Sequence, residues 1–266
     1  MDKSSKYSTY IILFYAVYGL LLMVVGRFNI QITFLVPISE GLGYTQFFST
    51  QISLSSIIEL IFNTPLIIIF FYLIYSTLDS MPNEKELKYA NLLKLITLLL
   101  IGITILGVGI HFTANLFNEI KTQPTSPDPK DVLIYWLDEI LGHHLIHSGI
   151  FGFFIMIMIF EYYKDQGQMI KLDRYSIPIW GFLIGAGFGI ALAEGQCSKT
   201  FLIIYIISII VILILKKYKY HFSFKEKRLV WFNIFFFIGN IISIISYGIL
   251  SVALGYAFFS QPHLVF

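Results

Sequence analysis

The chain alternates between long apolar runs and short polar connections, and the runs are too long for the core of a soluble protein. Read as helices, they predict spans over about 9–27, 51–75, 92–117, 131–161, 178–196, 199–216 and 230–259. Runs of about 18 or more largely apolar residues match the length a hydrocarbon core requires, and only helices or closed barrels satisfy the backbone there. The expected fold is therefore an all-α integral membrane protein, a polytopic bundle of seven transmembrane helices forming one domain over residues 1–266. The connection over 28–50 is too polar and too broken by glycine to be a span, and has room for a short interfacial helix. Asp128 as an N-cap and Pro129 at the first helical position mark the start of the fourth predicted helix.

Composition sharpens the class. Hydrophobic residues make up 57% of the chain and charged residues 13%, about half the charged share of a soluble domain. The net charge of +2 is no nucleic-acid signature, because the basic residues sit in connections between apolar runs. A single cysteine, Cys197, excludes an intramolecular disulfide and a cysteine-rich metal site. Lys3 and Lys6 precede the first apolar run, but no small-x-small cleavage site follows, so it reads as an uncleaved span. With seven crossings, fourteen Lys and Arg residues fall on one side and four on the other. The positive-inside rule then puts the N-terminus in the cytoplasm and the C-terminus outside, in the cytoplasmic membrane, with membrane lipids as the immediate partners and no nucleic acid.

Candidate chemistry concentrates in the stretch Asp131–Phe160. It carries Asp138, Glu139, His143, His144 and His147 within ten residues, and from 149 to 160 it is apolar throughout. On an α-helix Glu139, His143 and His147 recur every four residues and stack on one face. An ionised group near a helix centre costs about 2.5–3.5 kcal/mol to insert, and a divalent metal ion, zinc or iron, would offset that cost. Taking Trp136 as the interface, His143 lies about 11 Å and His147 about 17 Å inward by helix rise, and His111 on the third predicted helix reaches an overlapping depth. The expected metal ligands are His111, Glu139, His143 and His147. Asp138 and His144 project about 100° to either side of that stripe. Asp138, with Glu194 arriving from the fifth predicted helix, is the expected catalytic acid–base group. Asn115, His144 and Glu59 are expected to orient the ligands. The spacing matches no His-Glu-x-x-His metalloprotease signature.

Gly181, Gly185 and Gly189, with Ala193, form a small-residue stripe suited to close approach by another helix. Gly142, Ser148, Gly149 and Gly152 are candidate partners, and that contact would carry Glu194 toward the histidines. The last predicted helix contains no lysine, which excludes a retinal Schiff base.

Seven predicted helices with an intramembrane cluster of histidine and acid resemble, in design, the alkaline ceramidases and adiponectin-type receptors. Those are zinc-dependent amide hydrolases acting on lipids. They take two histidines four apart from their last helix, with Ser-x-x-x-His earlier, whereas here the histidines lie on the fourth predicted helix and the seventh has none. No residue role is carried over. The reading from the residues is a metal-dependent membrane enzyme, a hydrolase of a lipid or small amphipathic substrate or a metal-centred oxidoreductase. The alternatives are a metal-ion or proton-coupled transporter, and an accessory subunit whose polar cluster is structural.

Overall fold

A computed structural model describes residues 9, 10, 13, 17, 31–40, 44–53, 64–83, 89–120, 129–164, 169, 171–194, 196–215, 217 and 227–255. Two strands, β1 (Gln31–Glu40) and β2 (Tyr44–Ser53), pair as an antiparallel ribbon, with Gln31 opposite Ser53 and Glu40 opposite Tyr44. Six helices follow: α1 (Thr64–Asp79), α2 (Ala90–Ile120), α3 (running without a break from Pro129–Tyr135 through Trp136–Gly142 to His143–Tyr162), α4 (Lys171–Glu194), α5 (Ser198–Leu215) and α6 (Arg228–Ala253).

This corrects the expected seven-span bundle. Among the described residues four helices are long and apolar enough to cross a membrane, over Ala90–Asn115, Val132–Tyr162, Lys171–Ala193 and Arg228–Ala253. At 16 and 18 residues, α1 and α5 are apolar but shorter. The predicted helix over 51–75 fails because residues 51–53 belong to β2 and the described helix starts at Thr64. Alternating β-branched and aromatic residues at Ile32, Phe34 and Val36 favour a strand over the expected interfacial helix. The first predicted helix lies almost wholly outside the described residues, with Thr9, Tyr10, Leu13 and Val17 helical. The inside–outside assignment needed seven crossings to sort the basic residues, so it falls with them.

Two close helix pairs organise the rest. In the first, α2 and α3 run antiparallel with small residues at the seam. A Cβ on Gly107 would lie 2.6 Å from the Ile146 amide nitrogen, and one on Gly149 would lie 2.8 Å from the Leu100 carbonyl oxygen. In the second, Gly181 and Gly189 of α4 face α6. A Cβ on Gly181 would lie 2.5 Å from the Phe232 carbonyl oxygen, and one on Gly189 would lie 2.8 Å from Ser243 Cβ. A Cβ on Gly185 would meet the Phe236 backbone. The glycine stripe of α4 is therefore taken up by the last helix of the same chain, and the expected partners Gly142, Gly149 and Gly152 face α2 instead.

Aromatic packing joins the pairs through Phe151 of α3 and Phe237 of α6, centroids 5.7 Å apart, and adds the two shorter helices. Phe71 of α1 stacks on Phe153 of α3 with centroids 3.8 Å apart, and Tyr205 of α5 stacks on Phe237 of α6 at 5.1 Å. Apolar side chains at Leu98, Leu99 and Leu106 on α2 and at Ile203, Ile207 and Ile210 on α5 remain exposed. Such faces suit lipid contact.

At the far end of α3 a polar network ties the helices together. The Glu161 carboxylate, fully buried, accepts the backbone N–H groups of Leu229 at 2.7 Å and Val230 at 3.0 Å. These amides open α6 and have no acceptor within that helix, so the carboxylate caps it from another element. Lys164 donates to the carbonyls of Asp79 and Met81, while Lys227 donates to the carbonyl of Lys164. Burial pushes the Lys164 ammonium below the ordinary lysine range, against the opposing pull of Asp79. Pro178 lies inside α4, which begins a turn and more before the predicted boundary. Proline lacks the N–H that would bond the carbonyl four residues back. That carbonyl, of Arg174, accepts instead from the Trp231 indole at 3.3 Å.

Candidate metal centre

The site forms on the α2–α3 seam, beyond the closest contacts at Gly107 and Gly149. Gly142 lies against His111, where a Cβ would stand 3.0 Å from the histidine Cβ. The absence of a side chain at Gly142 lets His111 reach across the seam toward α3.

Between Trp136 and Gly142, α3 is π-helical. A π turn closes hydrogen bonds between residues five apart, and single π turns occur frequently at functional sites. The altered winding explains the main departure from the α-helical expectation. Asp138 and His143 are five apart, so the π turn brings them toward a common side, whereas regular α-helical winding would leave them well separated. Asp138 is 3% exposed, and its Oδ1 lies 2.5 Å from His111 Nδ1. The rings of His111 and His143 meet edge-on, centroids 4.5 Å apart. Together His111, Asp138 and His143 each offer a ligand atom, all within 4.8 Å of one another. Among the described residues no other group of three histidine, cysteine or carboxylate side chains converges in this way. The cluster lies within two membrane-spanning helices.

The other predicted residues take these places. Glu139 Oε2 stands 4.0 Å from His143 Nε2, beside the three-residue cluster rather than in it. Asn115 Nδ2 lies 3.2 Å from His111 Nε2, one turn along α2. His147 sits one turn below His143, rings stacked at 5.8 Å, and the edges of Phe188 and Phe201 enclose it at 4.8 and 5.7 Å. It is 4% exposed, and both its ring nitrogens are buried without a hydrogen-bond partner among the described residues. His144 points elsewhere, with Nδ1 2.7 Å from the Ile140 carbonyl oxygen and 3.2 Å from Cys197 Sγ. Glu194 is the last residue of α4, and its side chain lies outside the described residues, as does Glu59.

Sequence reasoning missed the α4–α5 turn. Cys197 is fully buried against His144, and Gln196, in a left-handed conformation at φ 52°, hydrogen-bonds the Tyr135 hydroxyl. A lone cysteine and a glutamine in a connection carry no signal that would have flagged them.

The donor set suits a borderline first-row cation. Two imidazole nitrogens and one carboxylate oxygen are ligands that zinc and iron both accept. Bond lengths of about 2.0–2.1 Å would draw the ligand atoms to roughly 3.4 Å apart in a tetrahedral site, so small side-chain rotations would close the cluster.

The exposed apolar helices and the polar cluster inside them define a multi-pass helical membrane protein with a His–Asp–His group able to hold a metal ion. No family model, curated protein or solved structure matches the chain.

Proposed function

We propose that this chain is a metal-dependent membrane enzyme that hydrolyses an ester or amide of a lipid or small amphipathic substrate. The observation that carries the reading is the convergence of His111, Asp138 and His143 from two spanning helices, with ligand atoms within 4.8 Å of one another. Catalytic zinc sites pair three protein ligands with an open position, whereas structural sites fill all four. His111, Asp138 and His143 would hold a zinc or iron ion, which would supply Lewis-acid chemistry and activate water for attack.

The chain's own residues divide the remaining work. Asn115 fixes the His111 ring through Nε2, leaving Nδ1 toward Asp138. Glu139, beside His143 and only partly buried, is placed to accept the proton of the attacking water and return it to the leaving oxygen or nitrogen. The water oxygen bonds to the carbonyl carbon, the bond from that carbon to the leaving oxygen or nitrogen breaks, and no redox partner is needed. Asp138 and Glu139 thereby exchange the roles that α-helical spacing implied. Phe188 and Phe201 close the inner side against water around His147.

Elemental mass spectrometry of the detergent-purified chain tests this. The native protein should carry near-stoichiometric zinc or iron, and His111→Ala and His143→Ala should lose it at unchanged helicity. Chelation should abolish hydrolysis of acyl esters or amides and metal restore it. A native protein that takes up no metal on reconstitution would end the metalloenzyme reading.

A further inference from the structure

Among the described residues, the end of the bundle where α4 and α6 begin carries more positive charge than its carboxylates cancel. Asp79 faces Lys94 and Asp173 faces Arg228, each at 3.6 Å, while Glu161 accepts the first amides of α6. Lys171 and Arg174, both exposed in the first turn of α4, have no carboxylate partner among the described residues. They are three apart, so they are neighbours on the helix surface.

A trough of about 620 Å³ runs inward from Arg174 along the α4–α6 pair. Arg174, Pro178 and Phe182 recur every four residues on its α4 side, and Trp231 and Phe235 of α6 form the opposite wall. Arg174 is the one charged residue of that lining among the described residues. The walls are fixed in place. The Trp231 indole donates to the Arg174 carbonyl at 3.3 Å and meets Phe235 edge-on at 4.9 Å. Gly181 sets the helix spacing, since its Cβ would stand 2.5 Å from the Phe232 carbonyl oxygen. Ile179 and Leu183 are exposed along the trough, so it opens sideways into lipid. From Arg174 to Leu183 it follows α4 for about 14 Å of helix rise, close to one leaflet of a hydrocarbon core about 30 Å thick. Tyr175 and Trp231 lie at the charged end, where aromatic side chains mark a membrane interface. A cation and interfacial aromatics above a leaflet-deep apolar trough have the layout of a phospholipid. The groove between α3 and α5 lacks that layout, because its described lining carries no charge.

We infer that the α4–α6 trough binds an anionic phospholipid, with its phosphate at Arg174 and Lys171 and one acyl chain along Pro178, Phe182 and Phe235. A guanidinium can pair with phosphate through two parallel N–H donors. A choline headgroup carries its own cation, so two basic residues favour a headgroup of net negative charge. Each basic residue beside an anionic headgroup is worth about fivefold in affinity. The site is independent of the metal centre, which lies toward the other end of α3.

The test titrates the full chain, purified in a neutral detergent, with phosphatidylglycerol or phosphatidylcholine and counts retained lipids by native mass spectrometry. The native chain should retain one phosphatidylglycerol, severalfold in preference to phosphatidylcholine. Arg174→Gln should cut that preference about fivefold, and Arg174→Lys should keep most of it. Leu183→Trp fills the inner half of the trough and should remove the retained lipid although every basic residue is present. Both positions are exposed, so the variants should fold, and thermal unfolding in the same detergent checks this. Lys199→Gln should change nothing, since this exposed cation starts α5 beside the Cys197–His144 contact at the opposite end. Glycerol phosphate, a headgroup without chains, should not displace the lipid. Uptake of neither lipid, or equal retention of both, overturns the inference. So does unaltered retention in folded Leu183→Trp, or a loss of preference in Lys199→Gln as large as in Arg174→Gln. Displacement by glycerol phosphate would overturn it in favour of a free-phosphate site.

Discussion

Replacing Gly149 with alanine probes whether the α2–α3 seam holds the metal centre in register. The new methyl group would meet the Thr104 hydroxyl first and would lie 2.8 Å from both the Leu100 carbonyl oxygen and the Thr104 amide nitrogen, against ordinary contact beginning at 3.4 Å. The hydroxyl can rotate away, but the other two obstacles are backbone and cannot, so the helices must part by roughly 0.6 Å or more to restore ordinary contact. Overpacking of this kind costs about 1–3 kcal/mol. Alanine in a helix interior returns about 0.8–1 kcal/mol relative to glycine, so the net change is a loss of up to about 2 kcal/mol. The larger effect falls on the site. His111 is contributed by α2 and Asp138 and His143 by α3, while metal–ligand distances tolerate only about 0.2 Å. A shift of the α2 backbone should therefore weaken metal binding more than it lowers the melting temperature. The assay is metal stoichiometry after dialysis against a buffered chelator, with thermal unfolding in the same detergent. Gly109→Ala is the control for proximity, since it lies two residues from His111 yet a Cβ there meets nothing within 4 Å. Gly185→Ala, where a Cβ meets the Phe236 backbone, is the control for overpacking away from the centre. Gly109→Ala should keep both metal and stability, and Gly185→Ala should lose stability alone. Full metal retention in Gly149→Ala, or equal metal loss in Gly185→Ala, would refute the reasoning.

Glu161→Ala should destabilise the chain by about 3–5 kcal/mol, because it leaves two buried N–H groups of α6 without their carboxylate and each orphaned donor costs about 1–3 kcal/mol; faster hydrogen exchange at Leu229 and Val230 would check it. Glu161→Gln keeps the shape but loses the charge, and should fall between native and alanine in thermal unfolding. Trp231→Phe removes the donor to the carbonyl freed by Pro178 and should lower stability by about 0.5–1.5 kcal/mol with metal content unchanged. Acidification should release the metal ahead of unfolding, since protons compete for the imidazole nitrogens and the carboxylate; simultaneous loss of metal and helicity across a pH titration would contradict that order.

Much of the helical architecture was legible because long apolar windows have few alternatives in a bilayer. The extents of α2, α3 and α5 follow the hydropathy closely, and α4 differs because Pro178, read as a starting residue, sits inside a helix whose freed carbonyl is satisfied by Trp231. The ribbon was hidden because β2 runs into apolar sequence that continues toward α1, and a short apolar run does not declare its period. At the site, the residue types were readable, and so was the participation of two helices. The winding was not. A π turn uses the same residues as an α turn, so nothing in the spacing of Asp138, Glu139 and His143 distinguishes which carboxylate turns toward His111. The small-residue stripe on α4 was equally plain as a pattern, yet a stripe states only that a helix comes close. Which one comes is decided by the whole packing, and here it is α6.

Charge balance gives the cluster its sharpest physical constraint. Asp138 is 3% exposed inside a membrane-spanning helix, and His111 is its ion-pair partner among the described residues. An ionised carboxylate in that position needs a compensating positive charge, since intramembrane charges persist only when paired or placed against a cavity. A proton shared with His111 supplies one charge and leaves His143 and the deeper His147 without purpose. A divalent cation supplies two, takes both imidazoles as neutral ligands, and leaves one net positive charge that Glu139 can balance. The two arrangements respond oppositely to Asp138→Asn. If a proton is shared, the amide relieves a buried charge and the melting temperature holds or rises. If a cation is bound, the amide removes an anionic ligand, so metal is lost and stability falls to that of the metal-free protein. A rise in melting temperature with no difference in metal content would assign the His111–Asp138 contact to proton sharing.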